Sequence, residues 1–256
     1  MELNRDYESA AIYKWRKKRK KAFVLFICIV GICFLVTRMV RVEDKTTVKV
    51  HNMHAEQNEK AIRYVASNMI KEDPKIAITF DDGPSPAWTP QLLDGLKERN
   101  VKATFFLIGE NAKNNPELVK REAEEGHLIG NHTYHHVEIT RVPDETAQEE
   151  ILMTNEVITG ITGEEVSYMR PPFGVWQKNL ERKLDVMPVL WTIDPLDWTT
   201  DNEDEIINKV VTQAGENDII LLHDCYLSSV KAALRIIDIM QAKGYEFVTV
   251  DELLLD

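Results

Sequence analysis

Between residues 75 and 250, short apolar runs alternate with amphipathic stretches, and this alternation limits the chain to few folds. Strand-like runs lie at 75–80, 102–109, 127–131, 167–174, 187–193, 218–222 and 247–250. Segments at 89–99, 114–125, 144–159, 179–184, 203–214 and 228–243 read as helices, and 251–254 as a terminal turn. Leu92, Leu93 and Leu96 share one face of the first helix, and Ile151, Leu152, Val157 and Ile158 form the apolar positions of the third. Gly126 stops the second. Strands alternating with helices build α/β structures around a mainly parallel sheet or barrel.

The polar residues fall in a second pattern. Asp81-Asp82, His132-Thr-Tyr-His-His136, Arg170-Pro-Pro-Phe173, Asp194-Pro-Leu-Asp197-Trp198 and His223-Asp224 each follow a strand-like run. In α/β barrels the C-terminal strand ends converge on one face. Ile76, Ile78 and Phe80 alternate with Ala77 and Thr79 and lead into two adjacent carboxylates and a Gly83-Pro84 turn. Like charges that close are costly unless a cation sits beside them.

His132 and His136 are four residues apart, and on a helical turn that spacing puts both imidazoles on one face. With one carboxylate they make a two-His-one-carboxylate set, suited to zinc or another divalent metal and open to water and substrate. Thr133 stands where the zincin pattern requires glutamate, which removes that protease reading. His135 lies off the shared face, and His127 follows a helix-ending glycine; neither is expected to ligate. One aspartate of the pair is expected to ligate the metal and the other to act as general base toward water. His223 is placed to protonate a leaving amine, with Asp197 holding its imidazole and Arg170 pairing with the base aspartate.

The net charge of −11 hides a split. Residues 1–41 carry ten Lys/Arg and three Asp/Glu, whereas the remainder carries 21 and 39. An acidic body lacks the cationic surface that phosphate contacts need, so nucleic-acid binding is not expected. Seven basic residues within 14–21 precede an apolar run that extends over 22–40. Basic flanks stay cytoplasmic, and no small-residue cleavage site follows the run. The expected organisation is therefore a cytoplasmic tail at 1–21, an uncleaved transmembrane signal-anchor at 22–40, a polar stalk at 41–74 and a catalytic body at 75–256 outside the cell membrane. Cys225 is the sole cysteine of that body, which excludes a disulfide framework there, and a structural role is expected for it.

The ordered set TFDDGP, HTxxH, RPPF, DxxDW and LLHD resembles the polysaccharide deacetylases, the fourth carbohydrate esterase family with its nodulation-type deacetylase domain. The resemblance covers about 74–256. It implies a distorted (β/α) barrel with fewer than eight regular strands, here preceded by one transmembrane helix. It implies Asp81 as catalytic base, Asp82, His132 and His136 as metal ligands, Arg170 as the residue orienting the base, and Asp197 as the partner of the catalytic acid His223. The Phe173 backbone N–H would help bind the oxyanion, and Phe stands where many members have Tyr. Trp198 and Leu221 would wall the groove for the acetyl methyl. The implied metal is zinc, with cobalt or manganese also compatible. The implied reaction is hydrolysis of N-acetyl groups on a glycan, expected from the topology to be peptidoglycan. Chitooligosaccharide, O-acetylated xylan and an inactive glycan-binding role are the alternatives.

Overall fold

The computed structural model describes residue 60 and residues 73–177, 180 and 184–255. All its named elements belong to the unit Glu72–Asp256. The expected tail, signal-anchor and stalk, and most of the short helix expected at 179–184, lie outside the described residues. Among the described residues, no helix is long and apolar enough to cross a membrane.

Seven strands form one sheet: β1 (Lys75–Asp81), β2 (Thr104–Leu107), β3 (Leu128–Asn131), β4 (Tyr168–Met169), β5 (Met187–Pro188), β6 (Ile219–His223) and β7 (Glu246–Val248). Their order is β5-β4-β3-β2-β1-β6, with β7 also paired to β1. Every pairing is parallel. Beyond β5 the chain returns to β6 through a bridge between Ile193 and Ile220, which curls the sheet into a half-barrel. The helices are α1 (Thr89–Glu98), α2 (Gly109–Asn114), α3 (Pro116–Glu124), α4 (Asp144–Thr162), α5 (Glu203–Gln213), α6 (Leu227–Ala242) and α7 (Val250–Leu255).

Alternation along β1 decides what the sheet presents on each side. Ile76, Ile78 and Phe80 enter the large core shared with Leu92, Leu96, Ile236 and Ile237 of the outer helices. Ala77 instead joins Phe106, Val189 and Val248 in a second cluster. Thr79 and Asp81 have the same parity as Ala77, so the strand carries its polar end on that second face. Both faces are buried, as expected for a parallel sheet covered by helices.

Several boundaries depart from the sequence reading. The strand expected at 102–109 is confined to β2, because Gly109 already opens α2. The strand expected at 187–193 pairs with β4 only over Met187–Pro188, and the 251–254 turn is part of helix α7. Leu152, expected on the apolar face of α4, is 54% exposed, whereas Ile151 and Ile158 are buried. Leu152 lies about 100° round the helix from Ile151, on the edge of the buried face.

Candidate metal centre and active site

Strand register assembles the site. Asp81 lies opposite His223, and Asn131, just before His132, lies opposite Met169, just before Arg170. Parallel pairing thus brings side chains from four distant stretches to one edge of the sheet.

The DD turn is held from three sides. Asp82 has a left-handed backbone, φ 71°. Asn111 Nδ2 donates to its carbonyl at 2.9 Å, and Ile108 N–H donates to the Gly83 carbonyl at 3.2 Å. A Cβ at Gly83 would lie 2.6 Å from Asp224 Oδ1, so only glycine fits over that carboxyl group. The Thr89 hydroxyl donates to Asp224 Oδ2 and accepts the Ser85 N–H. Burial, reinforced by the charge of Asp82, pushes the Asp224 carboxyl up to about 7.

The histidine segment is not a helical turn, which corrects that expectation. Thr133 and His136 both have left-handed backbones, φ 63° and 55°. Side chains hold the backbone donors of this loop. Asn131 Oδ1 accepts the Thr133 N–H at 2.7 Å, and Glu150 Oε2 accepts those of Tyr134 and His135 at 2.9 and 2.7 Å. The resulting loop still brings the two rings together, with centroids 5.0 Å apart. His132 Nδ1 donates to the Arg170 carbonyl at 2.7 Å, which turns Nε2 toward the cleft.

Nε2 of His132 and Nε2 of His136 each lie 3.4 Å from Asp82 Oδ1. That oxygen is buried and has no hydrogen-bond partner. Ligand bonds of about 2.1 Å at tetrahedral angles place neighbouring ligand atoms roughly 3.4 Å apart. The donor set and its spacing therefore fit a divalent metal, and Asp82, His132 and His136 are the only such cluster among the described residues. Burial pushes the Asp82 carboxyl up, but the neighbouring imidazoles of His132, His136 and His223 outweigh it and hold the group below its usual range. Burial also lowers His136, favouring the neutral imidazole that a metal requires.

Asp81 stands beside this centre on a different support. Arg170 Nη1 donates to Asp81 Oδ1 at 2.8 Å and to Thr79 Oγ1 at 2.7 Å. The guanidinium also donates to the carbonyls of Val189 and Leu190, and it lies over the Phe106 ring at 4.3 Å. Burial pulls the fully enclosed Arg170 below the usual arginine value, and the Asp81 carboxylate opposes that shift. Across the cleft, Asp197 Oδ1 and Oδ2 bond Nδ1 and the backbone N–H of His223, each at 2.8 Å. Burial alone would depress His223, but Asp197, with Asp81 and Asp82 behind it, pushes the imidazole up to about 9.

The cleft between these groups has a volume of about 440 Å³. Asp81, Asp82, His132, His136, Phe173, Trp198, Leu221 and His223 all line it, while Arg170 and Asp197 lie behind Asp81 and His223. The Phe173 ring contacts His136 at 5.0 Å, on a backbone with φ 61°. His135 is bonded through Nδ1 to Glu150 rather than turned to the triad. His127 accepts the Ala103 N–H, and burial pushes its imidazole down to about 4. The Cys225 thiol is pushed up to about 12 by burial, so it is not a thiolate nucleophile at neutral pH.

Sequence reasoning missed Thr79, Asn131, Glu150, Trp191, Asp194 and Tyr226 as parts of the site. Thr79 shares the parity of Asp81, Asp194 opens the DPLDW cluster, and Tyr226 follows the HD pair closely. Glu150 sits among other glutamates of an amphipathic helix and carries no such signal.

A family model described as polysaccharide deacetylase matches residues 68–189. The chain is 37% identical over 216 residues to the peptidoglycan-N-acetylglucosamine deacetylase PgdA of Listeria monocytogenes, covering 82% of this chain and 46% of that protein. It thus spans somewhat less than half of that relative's length. It is 39% identical over 199 residues to a peptidoglycan-N-acetylglucosamine deacetylase of Bacillus cereus, covering 75% of this chain and 93% of the relative. The solved structure of the peptidoglycan deacetylase PdaC from Bacillus subtilis superposes with a TM-score of 0.70 at 39% identity, covering 71% of this chain and 90% of that one.

Proposed function

This chain belongs to the polysaccharide deacetylase family, and from that premise we propose that it removes N-acetyl groups from N-acetylhexosamine residues of a cell-wall glycan, peptidoglycan in the first place. The reaction is hydrolysis of a linear amide: water and the N-acetyl group give acetate and a free amine on the sugar. The observation that carries this reading is the unpartnered Asp82 Oδ1 facing two imidazole nitrogens at 3.4 Å, with the Arg170-bound Asp81 alongside.

Asp82, His132 and His136 would hold the metal, and zinc is the proposed ion; cobalt and manganese suit the same donors. When bound, the ion supplies Lewis acidity, activating water at neutral pH and polarising the acetyl carbonyl. Asp81 takes the proton of the attacking water, its second oxygen free because Arg170 engages the first. The backbone N–H of Phe173 donates to the oxyanion. His223, protonated through Asp197, delivers its proton to the departing amine. Trp198 and Leu221 seat the acetyl methyl on the cleft wall.

The basic block at 14–21 and the apolar run at 22–40 support a signal-anchor, with the catalytic unit outside the cell facing the wall. The test is acetate release from wall glycan and from N-acetyl-chitooligosaccharide, measured in cell fractions. Activity is expected to sediment with membranes, to disappear on chelation and to return with added zinc. No release from either glycan with added metal would overturn the enzyme reading. Active protein found free in the medium, starting near residue 40, would overturn the anchor.

A further inference from the structure

The two histidines of the metal triad are oriented by different means. His132 is fixed through its own ring, since Nδ1 donates to the Arg170 carbonyl at 2.7 Å. Among the described residues, no hydrogen bond reaches the second nitrogen of His136. Its ring meets Phe173 edge-on and His132 at a tilt, and it faces Asp82. Phe173 is itself 63% exposed and is a weak support. The position of His136 therefore depends on the backbone that delivers it.

That backbone is clamped from helix α4. The buried Glu150 carboxylate accepts the N–H groups of Tyr134 and His135 through Oε2 and engages His135 Nδ1 through Oε1 at 2.7 Å. These are the two residues just before His136. From the other side, the Gly109 and Glu110 N–H groups at the start of α2 donate to the carbonyls of Thr133 and Tyr134 at 2.9 and 3.0 Å. Glu150 thus holds donors and α2 holds acceptors of the loop that runs from one left-handed residue, Thr133, to the next, His136.

We propose that Glu150 is a positioning residue for the metal centre, setting metal affinity by fixing the loop that carries His136. This inference rests on the metal-site reading above. A carboxylate suits the role because one group must accept two backbone donors and a ring donor together, and ionised acceptors make the stronger bonds. Groups that orient a ligand without touching the metal typically account for 10–100-fold in affinity.

The test uses the full chain, as wild type, Glu150→Gln and Glu150→Ala, with three readouts: zinc affinity by chelator competition, the visible absorption of the cobalt-substituted form, and thermal unfolding of the metal-free form. Glu150→Ala is expected to bind zinc about 10–100-fold more weakly with an altered cobalt spectrum, and Glu150→Gln, which keeps one acceptor oxygen, to fall between it and wild type. Wild-type zinc affinity and cobalt spectrum in either variant, even with a lower melting temperature, would make Glu150 a structural residue only and overturn the proposal. If Glu150→Ala does not fold, Glu150→Gln decides by the same criterion. A wild-type chain that binds neither metal would overturn the metal-site reading itself, an outcome visible before any variant is compared.

Discussion

Asp81→Asn is expected to lower turnover by about 10²–10⁴-fold while the protein keeps its metal. The substitution is isosteric, and the asparagine oxygen still accepts from Arg170 at the position of Asp81 Oδ1. What disappears is the second oxygen as a proton acceptor. His132→Ala is expected to abolish both metal and turnover, because it removes one of three ligand atoms that converge within 4.8 Å. Metal content per chain, measured by mass spectrometry on the same preparations used for the acetate assay, separates the two. Metal loss in Asp81→Asn together with metal retention in Asp82→Asn would reverse the assignment of the two aspartates.

Arg170→Ala is expected to destabilise the fold by about 3–5 kcal/mol as well as to abolish activity. Both halves of the pair are enclosed: Arg170 is fully buried and Asp81 is 3% exposed. Removing the guanidinium leaves a buried carboxylate without its cation, together with the carbonyls of Val189 and Leu190 without their donor. It also opens a gap between Phe106 and Trp191, whose rings lie 4.3 and 5.6 Å from the guanidinium carbon. Lysine is not expected to restore stability, since an ammonium lacks the planar fork that reaches four acceptors. Urea unfolding of wild type, Arg170→Ala and Arg170→Lys measures the effect. A loss below about 1 kcal/mol in Arg170→Ala would show that the pair contributes little net stability.

The aspartate pair shows how far local reading reaches. Adjacent residues on a strand point opposite ways, which suffices to expect different tasks for Asp81 and Asp82. The separation observed has a further cause. Asp82 has left the strand for a left-handed turn, held at its carbonyl by Asn111 from α2. The partner is 29 residues away, and nothing in the local run signals it. The histidine pair makes the same point more sharply. The four-residue spacing correctly brought His132 and His136 together, but for the wrong backbone. Left-handed backbone at Thr133 and His136 excludes a helical turn, and a loop whose amides are held by the Asn131 and Glu150 side chains brings the rings together instead.

The sequence by itself determined the alternation of strands and helices, the parallel α/β class and the polar clusters behind the strands. These depend on periodicity, turn residues and side-chain type, all of which are local. It also determined the chemical inventory of the cleft, since two imidazoles, two carboxylates and a third histidine suit few tasks other than metal-assisted hydrolysis. Tertiary structure alone decided which of those groups meet. Parallel register set Asp81 against His223 and brought His132 beside Arg170. The enclosed neighbours then set their protonation: burial alone would lower the His223 imidazole, but a carboxylate 26 residues away pushes it up to about 9. Register and burial are properties of the whole sheet and its enclosing layers, and no window of the sequence contains them.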